Sequence, residues 1–155
     1  TMKQGWLMVV TQLSLSILIS LKQVLDIIMD GLLLTHSNMQ NNYLQLALNK
    51  VGQTYNDRDS GRFVSQQLIH AKVPVNDGSR WSKDPEKLID QMDHLLGVLQ
   101  VTPGDILFWG TQNKPYEIGI YVGGNHFIAV HRRTHQVRIQ TLSKNWYPSI
   151  AGSII

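Results

Sequence analysis

The spacing of hydrophobic and polar positions changes twice along this chain, and the changes divide it. Over 5–21 there is no charged residue, and apolar residues dominate as far as Leu34. Gln12, Ser16, Ser20, Gln23, Asp26 and Asp30 interrupt them every three or four residues, drawing one narrow polar stripe down a long apolar helix. Residues 35–42 are polar and unpatterned, and form a linker between this segment (1–34) and a domain over 43–155. A helix is expected over about 43–51, capped by Asn42 and stopped by Gly52. Asp59 is a good N-cap for the next helix, over about 60–70, in which Phe63, Val64 and Leu68 recur at helical spacing. Val73-Pro74-Val75-Asn76-Asp77-Gly78 breaks that pattern as a turn-rich loop. Asp84 and Pro85 then serve as N-cap and first position of a helix whose apolar face, Leu88, Ile89, Met92, Leu95 and Leu96, ends at Gly97.

Beyond Pro103-Gly104 the pattern becomes that of strands. The stretches 106–109, 117–122, 126–131 and 136–142 are short, rich in β-branched or aromatic residues, and separated by turn residues such as Gly123-Gly124-Asn125. A last strand is expected at 153–155. Helices first and an antiparallel meander afterwards make an α+β domain, with helices packed on a sheet of about five strands. The 155 residues suffice for one domain with a real core and are too few for two.

Composition refines this picture only a little. At 43% apolar and 16% charged residues the chain is that of an ordered protein. A net charge of +3, with a pI near 9.3, favours anionic surfaces such as cell-wall polymers, lipid headgroups or nucleic acid without choosing among them. The absence of cysteine excludes disulfides and thiol chemistry. For the first 34 residues three readings stand. A cleavable signal peptide has Lys3 in its favour but lacks a small-residue cleavage site after the apolar run. A membrane-spanning or interfacial anchor has the length, since about 17 to 25 residues suffice to span. A helix packed on the domain or on a partner subunit accounts for the polar stripe, which would face water.

The chemistry centres on Ser60. A helix N-terminus offers unpaired backbone N–H groups and partial positive charge, a setting that activates a nucleophile, above all a thiolate. The segment Asp59-Ser60-Gly61-Arg62-Phe63-Val64 resembles the nucleophile helix of the NlpC family of papain-like cell-wall peptidases, whose motif runs Asp-Cys-Ser/Gly-x-Phe/Leu-Val. Pro103-Gly104-Asp105-Ile106-Leu107-Phe108-Trp109 is similar to that family's Pro-Gly-Asp-Leu-Val-Phe-Phe strand. Glu117-Ile118-Gly119-Ile120-Tyr121-Val122-Gly123 is similar to its His-Val-Gly-Ile-Tyr-x-Gly strand. The resemblance covers the chain from about Asn42 onward and implies an NlpC-type papain-like domain.

The resemblance also implies three catalytic positions, and this chain departs from the family at each. Ser60 stands for the cysteine, Glu117 for the histidine, and Ala129 for the third polar residue, counted from the Gly123 turn. A serine without a neighbouring base is a weak nucleophile, and a carboxylate is a poor substitute for imidazole in taking a proton and returning it to a leaving amine. His131 points to the same strand face as Ala129, so a Ser60, His131 and Glu117 triad is the alternative, although the two-residue advance displaces the ring by roughly 6 to 7 Å. Asp59, Tyr55, Arg62 and Trp81 are candidate binding residues, Trp81 as a wall of the substrate groove that the resemblance implies. His126, His131 and His135 match no common zinc signature, so neither a metal nor a cofactor is expected. Arg132, Arg133, Arg138 and Lys144 make the C-terminal half basic, either as an anion-binding patch or as a solvated face. Nucleic acid is disfavoured as a partner, because aromatic interleaving and a reading motif are both lacking.

These observations lead to an expectation of a catalytically degenerate NlpC-like module in the bacterial cell envelope, whether periplasmic, membrane-anchored or secreted. It would hold a cell-wall peptide or an envelope protein partner, with 6–34 contacting membrane or a subunit. The alternative is an active peptidoglycan endopeptidase or amidase, seen as a Cys-to-Ser variant or a serine-based relative.

Overall fold

The structure is a computed structural model that describes residues 15–33, 38–55 and 59–154, with the side chains of the first helix described over 19–28. Among the described residues four α-helices, α1 (Leu15–Leu33), α2 (Asn38–Asn49), α3 (Ser60–His70) and α4 (Pro85–Asp90), precede the sheet. Six strands follow: β1 (His94–Leu96), β2 (Ile106–Gly110), β3 (Pro115–Gly123), β4 (His126–Val130), β5 (Val137–Thr141) and β6 (Ile150–Ser153). They form one antiparallel sheet in the order β1-β6-β2-β3-β4-β5.

The alternation along β2, β3 and β4 explains why the sheet carries apolar layers on both faces. Ile106, Phe108, Ile118, Ile120, Ile128 and Val130 point toward the helices and meet Phe63, Val64 and Leu68 of α3, with Tyr43 and Ala47 of α2. Leu107, Trp109, Phe127 and Ala129 point the other way and form a second, smaller cluster with Val98 and Ala151. The start of β3 and the end of β4 are thus held from both sides, and they supply Glu117 and Val130, which face the start of α3.

Three local expectations change. The apolar face expected to continue a helix from Leu88 to Leu96 divides at Asp90. α4 stops there, and His94, Leu95 and Leu96 pair with Ser153, Gly152 and Ala151 as a sixth, edge strand. A three-residue strand has too short a pattern to be told from a helical turn. The last strand accordingly lies at Ile150–Ser153 rather than 153–155. Helix α2 starts at Asn38, earlier than the cap expected at Asn42, because its first turn has a single apolar residue, Met39, and so carries no apolar periodicity. The linker expected over 35–42 otherwise falls on residues 35–37, which lie outside the described residues, as do 1–14 of the N-terminal segment and Gln12 of its polar stripe. Within α1, Ile27 is buried while Ile19, Leu21, Leu25 and Ile28 are exposed beside Ser20 and Asp26. Among the described residues no helix is long and apolar enough to cross a membrane.

Candidate functional site

The N-terminus of α3 is built by its flanking residues. Asp59 caps it, its Oδ1 accepting the Arg62 backbone N–H at 2.8 Å while its Oδ2 lies 3.6 Å from Arg62 Nε. Gly61 is required by close approach, since a Cβ there would run into the Lys83 carbonyl oxygen. The backbone at Lys83 therefore lies across the first turn of α3. Tyr55, just before the turn, sets its ring edge-on to Phe63 at 5.8 Å and donates its hydroxyl to Gln66 Oε1 at 3.3 Å. Burial raises the Tyr55 phenol, with Arg62 opposing. The Tyr55 backbone N–H donates to the His135 carbonyl at 2.7 Å, tying this entrance to the β4–β5 turn.

Ser60, 2% exposed, is engaged by the sheet. Its Oγ accepts the Val130 N–H at 3.1 Å, and its own proton has the Val130 carbonyl at 3.5 Å as an acceptor. The Glu117 carboxyl lies close enough for the hydroxyl to lower its pKa. Glu117 stands opposite Trp109 in the β2–β3 register and is 7% exposed. Its Oε1 accepts the Ile118 N–H at 2.9 Å. Burial pushes this carboxyl above the ordinary value of 4.5, the Ile118 amide, the Ser60 hydroxyl and the Arg132 charge pull it down, and the Asp59 charge pushes it up. Burial wins, so the group favours its protonated form more than a free glutamate does.

No hydrogen bond joins the His131 ring to Ser60 among the described residues. Strand β4 ends at Val130, and His131 begins the turn that follows. Its Nδ1 accepts the backbone N–H of Thr134 at 3.2 Å and of Arg133 at 3.3 Å, closing that turn. Partial desolvation, then Arg138 and Arg133, hold His131 below the ordinary imidazole value of 6.5. The structure thus brings Ser60, Glu117, Asp59 and Arg62 together and gives the His131 Nδ1 a turn-closing role. Ala129 is 2% exposed in the second core, beside Trp109 and Phe127. Trp81 lies in the helix-side core, its indole donating to the Val73 carbonyl at 2.8 Å. It also lines a cavity of about 410 Å³ with Ile69, Lys72 and Arg80, at the C-terminal end of α3, away from Ser60.

One group beside the site was invisible as a unit in the sequence. The Arg132 guanidinium lies 5.7 Å from the ring centroid of Tyr116 and 5.6 Å from that of Trp146. Trp146 donates its indole N–H to the Tyr116 hydroxyl at 2.8 Å and stacks on Trp109 at 4.5 Å. The basic run at Arg132 and the aromatic residues are each visible locally, but their meeting depends on strand register. Among the described residues no group of three His, Cys, Asp or Glu is placed to hold a metal ion.

With this geometry in place, comparison with known proteins is informative. A sequence model of the NlpC/P60 family matches residues 51–153, which span α3 and all six strands. No curated protein sequence matches the chain. Among solved structures, the NlpC/p60 domain of the peptidoglycan hydrolase SagA is 19% identical, with a TM-score of 0.62 over 74% of this chain and 97% of that one. RipD from Mycobacterium tuberculosis, described as a non-catalytic NlpC/p60 domain protein adapted to peptidoglycan binding, is 11% identical, with a TM-score of 0.60 over 77% of this chain and all (100%) of that one. NlpC1 from Trichomonas vaginalis is 17% identical, with a TM-score of 0.61 over 78% of this chain and 46% of that one. At these identities the structural likeness speaks for the fold.

Proposed function

We propose, from the premise that this chain belongs to the NlpC/P60 family, that it is a catalytically degenerate member acting as a binding module of the bacterial cell envelope. The observation that carries this reading is the state of Ser60. Its oxygen is bonded to the Val130 amide, and the titratable partner of its hydroxyl is a buried carboxyl rather than an imidazole. A hydrolase of this type needs a base that takes the nucleophile's proton and delivers it to the leaving amine. A carboxylate is a poor substitute for imidazole in taking that proton and returning it to the leaving amine. RipD, with the same fold, supports the idea that such a domain can keep peptidoglycan as a ligand.

In this reading a groove beside Ser60 and Glu117, with Tyr55, Asp59 and Arg62 at its entrance, holds a cell-wall peptide or an envelope partner, while Ala129, the third position, is packed into the second core. The segment 1–34 is the anchor or docking element, through apolar residues of α1 such as Leu21, Leu25 and Ile28 that face solvent. The domain proper is 43–155. The test is incubation of the purified chain with isolated peptidoglycan, scoring release of soluble fragments and co-sedimentation together. Co-sedimentation without fragment release is expected. Fragment release that disappears in Ser60→Ala would overturn the reading in favour of a serine-based endopeptidase or amidase, which the contact between Ser60 and Glu117 would then have to serve.

A further inference from the structure

We propose that Arg132 is a carboxylate clamp, a guanidinium held against the rings of Tyr116 and Trp146 beside Ser60 and Glu117 that binds a free carboxylate of a peptide ligand. This rests on the reading of the chain as a peptide-binding envelope module and names the chemistry its ligand must carry.

Three observations support the clamp. First, the arginine is pre-organised from the core outward. Trp109, 1% exposed, anchors Trp146 by stacking, Trp146 fixes Tyr116 through its indole N–H, and both rings face the guanidinium. Aromatic faces hold a guanidinium without using its N–H edges, so little side-chain freedom remains to be lost on binding. Second, Arg132 is exposed, and among the described residues its N–H donors have no acceptor. The carboxyl that senses its charge, Glu117, is buried and accepts the Ile118 N–H. Third, the chain beyond Glu117 contains no aspartate or glutamate, so no carboxylate of that segment competes with a ligand for the guanidinium. The other cations are placed differently. Arg133 and Arg138 flank His131, and Arg138 donates to Gln136 Oε1. A phosphodiester polymer would draw on all of these cations together, whereas a single seated guanidinium beside exposed aromatic faces suits one carboxylate with aliphatic chain around it.

The test uses the full chain and a soluble cell-wall stem tripeptide, with its carboxylates free or amidated, measured by titration calorimetry. Arg132→Gln should weaken binding of the free peptide about tenfold to a hundredfold. Arg133→Gln, the same charge change one residue away, should stay within about twofold. Arg132→Lys should recover only part of the loss, because an ammonium lacks the planar fork. The amidated peptide should be indifferent to Arg132→Gln. Equal losses in the Arg132 and Arg133 variants, or no effect of amidation, would overturn the clamp. So would a short oligonucleotide binding more tightly than the peptide and losing affinity equally in both variants. If the wild-type chain binds neither peptide, the envelope-binding reading falls, and the clamp is then decided by titrating glutarate while following arginine side-chain N–H resonances. A saturable shift of the signal missing in Arg132→Gln sustains the clamp, and its absence refutes it.

Discussion

Ser60→Ala separates a structural serine from a catalytic one. The substitution removes an oxygen that accepts the Val130 N–H at 3.1 Å. Ser60 is 2% exposed and Val130 1%, so water has no ready access to replace the lost acceptor. A buried donor left without a partner costs about 1–3 kcal/mol. Removal of the hydroxyl also takes away one of the groups that lower the Glu117 carboxyl, so that group should rise further. Against a typical total stability of about 5–15 kcal/mol the loss is readily measured. Urea unfolding followed by tryptophan fluorescence should show a lower midpoint with an unchanged slope, and thermal unfolding a drop of about 2–4 °C for each kcal/mol. Peptidoglycan binding per folded molecule should persist. A Ser60→Ala chain as stable as wild type, within about 0.5 kcal/mol, would refute the argument that Ser60 serves the sheet. A chain equally stable but deprived of a hydrolytic activity would refute the proposed function as well.

Other outcomes follow from the same geometry. Gly61→Ala should destabilise by about 1–3 kcal/mol through its clash with the Lys83 carbonyl, or displace the segment before α4, as melting and amide exchange at residues 82–84 would show. Because the folded Glu117 carboxyl lies above its ordinary value of 4.5, the folded state binds the extra proton. Its contribution to stability is therefore full below that value and lost as pH rises through the folded one, and Glu117→Gln should flatten this part of the pH–stability curve. Ser60→Cys alone should give a slowly alkylated thiol, since a neighbouring carboxylate disfavours the thiolate. Ser60→Cys with Glu117→His should react at least about tenfold faster with iodoacetamide near neutral pH. His131 should titrate below 6.5 by NMR, and Arg138→Gln should move it upward.

Much of the site's frame is legible locally. The Asp59 cap, the helix behind it and the strand that begins beside Glu117 are encoded by neighbours one to four residues apart, and Ser60 could be placed at a helix start from them. The sixth strand was hidden because three residues, His94–Leu96, extend an apolar face that a helix would also display, and only pairing with β6 resolves it. Ala129 and Val130 show the same division within a single strand. Alternation assigns them opposite faces, but that Val130 contributes its amide to Ser60 depends on where α3 crosses β4.

What the sequence determined by itself is the class of the domain and its chemical inventory: helices before an antiparallel sheet, serine at the start of α3, glutamate at the head of β3, and no cysteine anywhere. These follow from residue type and short-range period, which act along the chain. The tertiary structure decided which of those groups meet. It seated Glu117 against Ser60, gave the His131 Nδ1 to its own turn, and fixed Arg132 to an aromatic stack drawn from β2, β3 and the loop before β6. Such meetings depend on strand register and burial, where a shift of one residue exchanges the two faces of a strand, and no local pattern records them.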